Sequence, residues 1–166
     1  LLVINELLAD PPDGFDADGD GRSSYQDDEF IELVNAGAGS LDLSWATLAD
    51  GAATRLTFPQ GTVIEPGHAL IVFGGGAPVM PIPALVADTL SLNNAGDSVR
   101  IRSVYGEILA EVSYGSHGGR DASLVRQRDG DPASPFVSHT TVAPSVASPG
   151  VHTDGAAFPG AETPSP

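Results

Sequence analysis

The residues best placed to do chemistry are carboxylates. Asp16-Ala17-Asp18-Gly19-Asp20-Gly21 sets an aspartate at every second position and closes on a glycine, and Asp27 follows six residues after Gly21. This is the order of a calcium loop, with side-chain oxygens at positions 1, 3 and 5, a glycine at 6 for the sharp turn, a backbone carbonyl at 7 and an acid at 12. Alternate side chains of a tightly wound loop converge on one point. Asp16, Asp18 and Asp20 are therefore expected to hold Ca2+ together with the carbonyl of Arg22 and the carboxylate of Asp27, with Ser24 at position 9 contributing directly or through water. Position 12 usually carries Glu, which is long enough to clamp the ion with both oxygens. Here Asp27 is followed by Asp28 and Glu29, so a shift of one or two residues could supply the clamp.

The plainer reading is a solvated acidic loop without metal. Against it stand the mutual repulsion of Asp16, Asp18 and Asp20 and the length of the connection, because long loops without structure of their own are uncommon inside a compact domain. No helical pattern flanks the loop, so it is expected between two strands, which weakens any inference to signalling. Glu6, Asp10 and Asp13 are further candidates to join the site or form a second one.

Other chemistry is thin. His68, His117, His139 and His152 are scattered, with none in a metal-ligand spacing. Gly115-Ser116-His117-Gly118-Gly119 lacks the pattern of a nucleophile elbow and reads as a glycine-rich loop. Gly74-Gly75-Gly76 follows a strand without Lys or a subsequent helix, so a phosphate cradle is not expected. Glu6 and Glu32 fall on neighbouring strands and invite comparison with the acid and base of a glycosidase. With one Trp and three Tyr the chain offers little surface for stacking sugars, and hydrogen bonding within the fold is the plainer role. No enzyme activity is expected.

The elements that must position these residues are strands. Short runs of Val, Ile, Leu and Phe alternate with Gly, Pro, Asn and Asp. The expected strands are Leu2–Leu8, Glu29–Asn35, Leu41–Leu48, Arg55–Phe58, His68–Phe73, Leu90–Leu92, Ser98–Val104, Ile108–Tyr114 and Ser123–Arg126, about nine in all, which suggests an all-β sandwich. Val99 to Val104 alternates apolar with polar residues ahead of Tyr105-Gly106-Glu107, as in a hairpin with one solvated face. Phe30-Ile31-Glu32-Leu33-Val34 is apolar on both faces, as in a central strand. Trp45, within an apolar run, is expected in the core. From Pro144 the composition turns to Pro, Gly, Ser, Ala and Thr, and residues 151–166 read as a tail or linker after a domain of residues 1–150. Such an end is ordered only if something pins it.

Composition narrows the partners. The chain of 166 residues carries 22 acidic and 7 basic side chains, a net charge of -15, which repels nucleic acid and anionic lipid and favours divalent cations. There is no Cys, so disulfides and thiolate metal sites are excluded. No apolar run is long enough for a helical membrane span, and membrane insertion is not expected. The chain begins at Leu1 without a charged leader, as expected of a processed or excised segment.

Several strings, in their order and spacing, resemble the bacterial lamin tail domain: Val3-Ile4-Asn5-Glu6, Glu29-Phe30-Ile31-Glu32-Leu33-Val34-Asn35, Leu41-Asp42-Leu43-Ser44-Trp45, Asp50-Gly51, Phe58-Pro59-Gln60-Gly61-Thr62, Ile64-Glu65-Pro66-Gly67, Leu92-Asn93-Asn94-Ala95-Gly96-Asp97 and Ser148-Pro149-Gly150. The chain departs from that pattern at Ser44, where a Gly commonly precedes the Trp, and in the acidic insertion between the first two strands. The resemblance implies an immunoglobulin-like sandwich acting as a structural, binding or targeting module of secreted proteins, with no shared catalytic residues. The expectation is a noncatalytic, extracellular, calcium-binding structural or adhesion module of the cell surface, with copies of itself or other surface components as partners. A self-assembling subunit of a filament or layer, and an accessory domain of a secreted hydrolase, are the alternatives.

Overall fold

The computed structural model describes residues 1–162, so the last four positions of the tail expected over 151–166, including its final Pro-Ser-Pro, lie outside the described residues. Twelve strands form among the described residues, more than the nine expected. They are β1 (Leu2–Leu8), β2 (Phe30–Asn35), β3 (Leu41–Asp42), β4 (Thr47–Ala49), β5 (Thr54–Thr57), β6 (Val63–Ile64), β7 (Ala69–Phe73), β8 (Ala84–Val86), β9 (Asp97–Arg102), β10 (Ile108–Tyr114), β11 (Leu124–Arg126) and β12 (Phe136–Ser138). The only helical elements among the described residues are single 3-10 turns at Ser116–Gly118 and His139–Thr141.

A six-stranded sheet in the order β12-β11-β1-β2-β7-β8 faces a four-stranded sheet in the order β10-β9-β4-β5, and β3 pairs with β6 apart from both. All neighbours are antiparallel except β7 and β8. The core between the sheets takes Leu2 and Ile4 from β1, Ile31 and Leu33 from β2, and Leu70 and Val72 from β7. Leu48, Val99, Ile101 and Val112 meet them from the facing sheet.

Because side chains alternate along a strand, the remaining residues of β2 and β7 point outward: Phe30, Glu32 and Val34, then Ala69, Ile71 and Phe73. That outer face is also buried. A second apolar cluster forms on it from Leu8, Phe30, Ile71 and Phe73 together with Ala17 of the acidic loop, Ile82, Ala147 and Phe158. The central strand is thus apolar on both faces because the sheet is covered twice, by the opposing sheet and by three non-strand segments, the acidic loop, the β7–β8 connection and the C-terminal segment. One covering segment is residues 144–162, which cross the outer face as a strap. Phe158 is only 2% exposed, and its burial contributes about 2–3 kcal/mol.

Several expectations change in the structure. The run Leu41–Leu48 is not one strand, because Ser44 N–H donates to Asp42 Oδ1 in a local turn and Trp45 takes a φ of 63°, which breaks the extended backbone. Trp45 is 53% exposed and is not core; Leu43 and Ala46 are buried beside it instead. Leu90–Leu92 forms no strand, although Leu90 and Leu92 are buried, since Ser91 sits at a φ of 53°. The hairpin of β9 and β10 closes through Ser103 N–H to the Glu107 carbonyl, with Gly106 at a φ of 83°, and keeps one face solvated. Strand β1 pairs with β2 from Leu2 to Leu8 and with β11 at Glu6 and Leu7.

Candidate metal centre

The acidic loop leaves β1 at Leu8 and returns into β2 at Phe30, between two interior strands, as the absence of a helical pattern requires. Asp16, Asp18 and Asp28 are brought together, one carboxylate oxygen of each lying within 4.8 Å of the others. The acid that closes the group is Asp28, one residue beyond the position counted from the loop pattern.

Asp28 is buried and organises the loop around itself. Its Oδ1 accepts the N–H groups of Ala17 (2.6 Å) and Asp18 (3.2 Å), and its Oδ2 accepts that of Ser24 (2.7 Å). Asp16 Oδ2 accepts the Gly21 N–H at 2.8 Å, and Asp18 Oδ1 accepts that of Asp20 at 3.0 Å. The second oxygens of these two residues, Asp16 Oδ1 and Asp18 Oδ2, are buried and have no hydrogen-bond partner. A buried carboxylate oxygen without a donor is costly, and a hard cation is the partner whose chemistry such oxygens fit. In the protein alone, burial of Asp18, reinforced by the nearby charge of Asp20 and by Asp16 and Asp28, pushes its carboxyl up to about 6.

Asp20 and Asp27 stand outside this group of three carboxylates. Asp20 accepts Arg22 N–H (2.8 Å) with Oδ1 and Ala77 N–H (3.2 Å) with Oδ2. Asp27 donates its N–H to Ser24 Oγ, and its carboxylate lies over Gly75. The Arg22 side chain is exposed. Of the remaining candidates, Asp10 accepts from Asn94 Nδ2 (2.6 Å), Asp13 accepts from the Tyr25 hydroxyl, and Glu6 lies in a different network.

The role of Gly74-Gly75-Gly76 escapes sequence reasoning although its spacing is visible. The triplet follows β7 and forms the floor on which the loop rests. A Cβ on Gly74 would collide with the Gln26 carbonyl oxygen, one on Gly75 with Asp27 Oδ1, and one on Gly76 with Asp18 Oδ2. Three consecutive residues without side chains let the acidic loop approach the sheet end this closely. The contact is fastened by Gly74 N–H to Glu29 carbonyl (2.9 Å) and Val79 N–H to Asp18 carbonyl (2.7 Å).

The second polar network involves Glu6 and Glu32. A β-bulge at Asn5 turns Glu6 outward, opposite Glu32 across the β1–β2 pairing, and both carboxyls lie under the strap. Glu6 accepts the Ser123 hydroxyl (2.6 Å), the Ser148 N–H (2.9 Å) and the Ser148 hydroxyl (2.6 Å). Glu32 accepts Asn5 Nδ2 (3.0 Å) and Gly150 N–H (2.9 Å). Two surface depressions, one bounded by Asp10, Pro12, Asp13, Tyr25 and Asp121 and one by Met80 to Pro83, Gly160 and Glu162, include neither glutamate. Both carboxyls are fully buried and bond the protein's own chain.

The two facing all-β sheets form an immunoglobulin-like sandwich. A family model of the lamin tail domain matches residues 1–116, and the chain belongs to that family. β11, β12 and the strap lie beyond the matched residues. Among curated proteins, none matches this chain.

Proposed function

We propose that the protein is a noncatalytic structural or adhesion module of the cell surface or extracellular space, in which Ca2+ bound by Asp16, Asp18 and Asp28 orders the loop between β1 and β2. The observation that carries this reading is the pair of buried oxygens without donors, Asp16 Oδ1 and Asp18 Oδ2, converging with Asp28. Both Asp28 oxygens are engaged by backbone N–H groups, so the site lacks a free two-oxygen clamp, which sets the expected affinity at the weak end of the calcium range, about 10⁻⁴–10⁻³ M.

Thermal unfolding tests the reading. Free calcium at a hundred times its dissociation constant stabilises the native state by about 2.7 kcal/mol, so excess calcium raises the melting temperature above that in chelator by several degrees. Magnesium rescues poorly, because it demands a tighter octahedron and gives up water reluctantly. Identical melting curves in calcium and in chelator would rule the proposal out.

A further inference from the structure

We infer that the acidic loop and the C-terminal strap are one coupled unit, so that calcium at the loop locks residues 144–162 onto the outer face of the sheet. This rests on the calcium reading proposed above and adds a consequence far from the carboxylates in sequence.

Two chains of contact join the parts. The first is polar and runs through the segment that links β7 to β8. Val79 N–H binds the Asp18 carbonyl at 2.7 Å, and Ala77 N–H binds Asp20 Oδ2 at 3.2 Å, so the placement of residues 77–79 follows that of the loop. The same segment continues directly into Met80 and Pro81, where the strap is received. The Pro81 carbonyl accepts Glu162 N–H at 2.7 Å, and Gly150 packs so closely that a Cβ there would lie 2.8 Å from Met80 Cε. The second chain is apolar. Ala17, between two of the carboxylates, belongs to the same buried cluster as Ile82, Ala147 and Phe158. The loop therefore supplies part of the surface on which the strap is seated.

An unliganded loop, with its carboxylates in mutual repulsion, loosens both chains of contact at once. Because coupling between two sites is reciprocal, undocking of the strap lowers calcium affinity by the factor that calcium tightens the strap, and partial damage lowers it by up to that factor.

The test combines amide hydrogen exchange on the wild-type protein with calcium titration of the wild type, Phe158→Ala and Val112→Ala. Val112 belongs to the core between the sheets and is not part of the cluster under the strap, so its truncation controls for general loss of stability. Chelation is expected to reduce protection of residues 144–162 by about tenfold or more relative to β9 and β10, and Phe158→Ala to weaken calcium binding by about fivefold or more while Val112→Ala leaves it unchanged. If the wild type binds calcium but strap protection ignores the ion, or Phe158→Ala binds as tightly as wild type, the coupling is overturned and the calcium site stands. If the wild type binds no calcium, both fall.

Discussion

Glu6 and Glu32 stand opposite one another on adjacent interior strands, fully buried, and both bond the same short stretch of the strap, Ser148 to Gly150. Each is held above the usual carboxylate range by burial. For Glu32 the neighbouring charge of Glu6 adds to the effect, while for Glu6 the hydrogen bonds from Ser123 and Ser148 oppose it. Their work is to supply acceptors to backbone and hydroxyl donors that the strap carries into the interior.

Truncating one of them should therefore damage the fold. Glu32→Ala leaves the Gly150 N–H without its acceptor, at about 1–3 kcal/mol, and reduces the Asn5 amide to its bond with Asp129, partly offset by removal of the repulsion with Glu6. A net loss of roughly 2 kcal/mol in urea denaturation is expected. An unchanged midpoint would show that the strap does not depend on this carboxylate.

Glu29 gives the protein a defined pH response. Burial, helped by the charge of Asp97, pushes its carboxyl up to about 7 against the opposing pull of the Leu92 and Ser91 N–H groups and of Arg55. The folded state binds this proton more tightly than the unfolded chain, so the stabilisation is complete below the ordinary carboxylate value of 4.5 and is lost as pH rises through about 7. Melting in chelator across that window should show stability falling toward neutral pH. Glu29→Gln, which retains an acceptor for Leu92 N–H, should flatten that fall, and a variant as steep as wild type would reject the assignment.

The glycine floor makes a third prediction. Gly74→Ala drives a methyl group into the Gln26 carbonyl, and displacement of the loop should cost about 1–3 kcal/mol and weaken calcium binding. Gly39→Ala, in open space, serves as the comparison. Equal calcium affinities in the two variants would mean that the loop does not need the triplet.

How far the sequence carries the fold depends on where local pattern and tertiary contact agree. Strands β1 and β10 match their expected bounds at both ends because each is a continuous run closed by turn residues. β8 and β12 are not legible in the sequence, since three residues directly after a proline carry too little pattern and are fixed by pairing alone. Trp45 misleads because an apolar neighbourhood in sequence says nothing about a backbone that turns at Ser44. In the candidate site, Asp16 and Asp18 follow from their alternation. The closing acid depends on how the chain re-enters β2, and this selects Asp28 over Asp27. Gly74 to Gly76 and Phe158 belong to the site only through folding, across separations that no local spacing encodes.

A cation at Asp16, Asp18 and Asp28 is tested most directly by calorimetric titration of the protein with calcium. The predicted result is saturable binding with a dissociation constant of about 10⁻⁴–10⁻³ M that Asp18→Ala abolishes and Asp13→Ala, outside the group, leaves nearly intact. Absence of any binding heat in wild-type protein at millimolar calcium, or binding undiminished in Asp18→Ala, would contradict it.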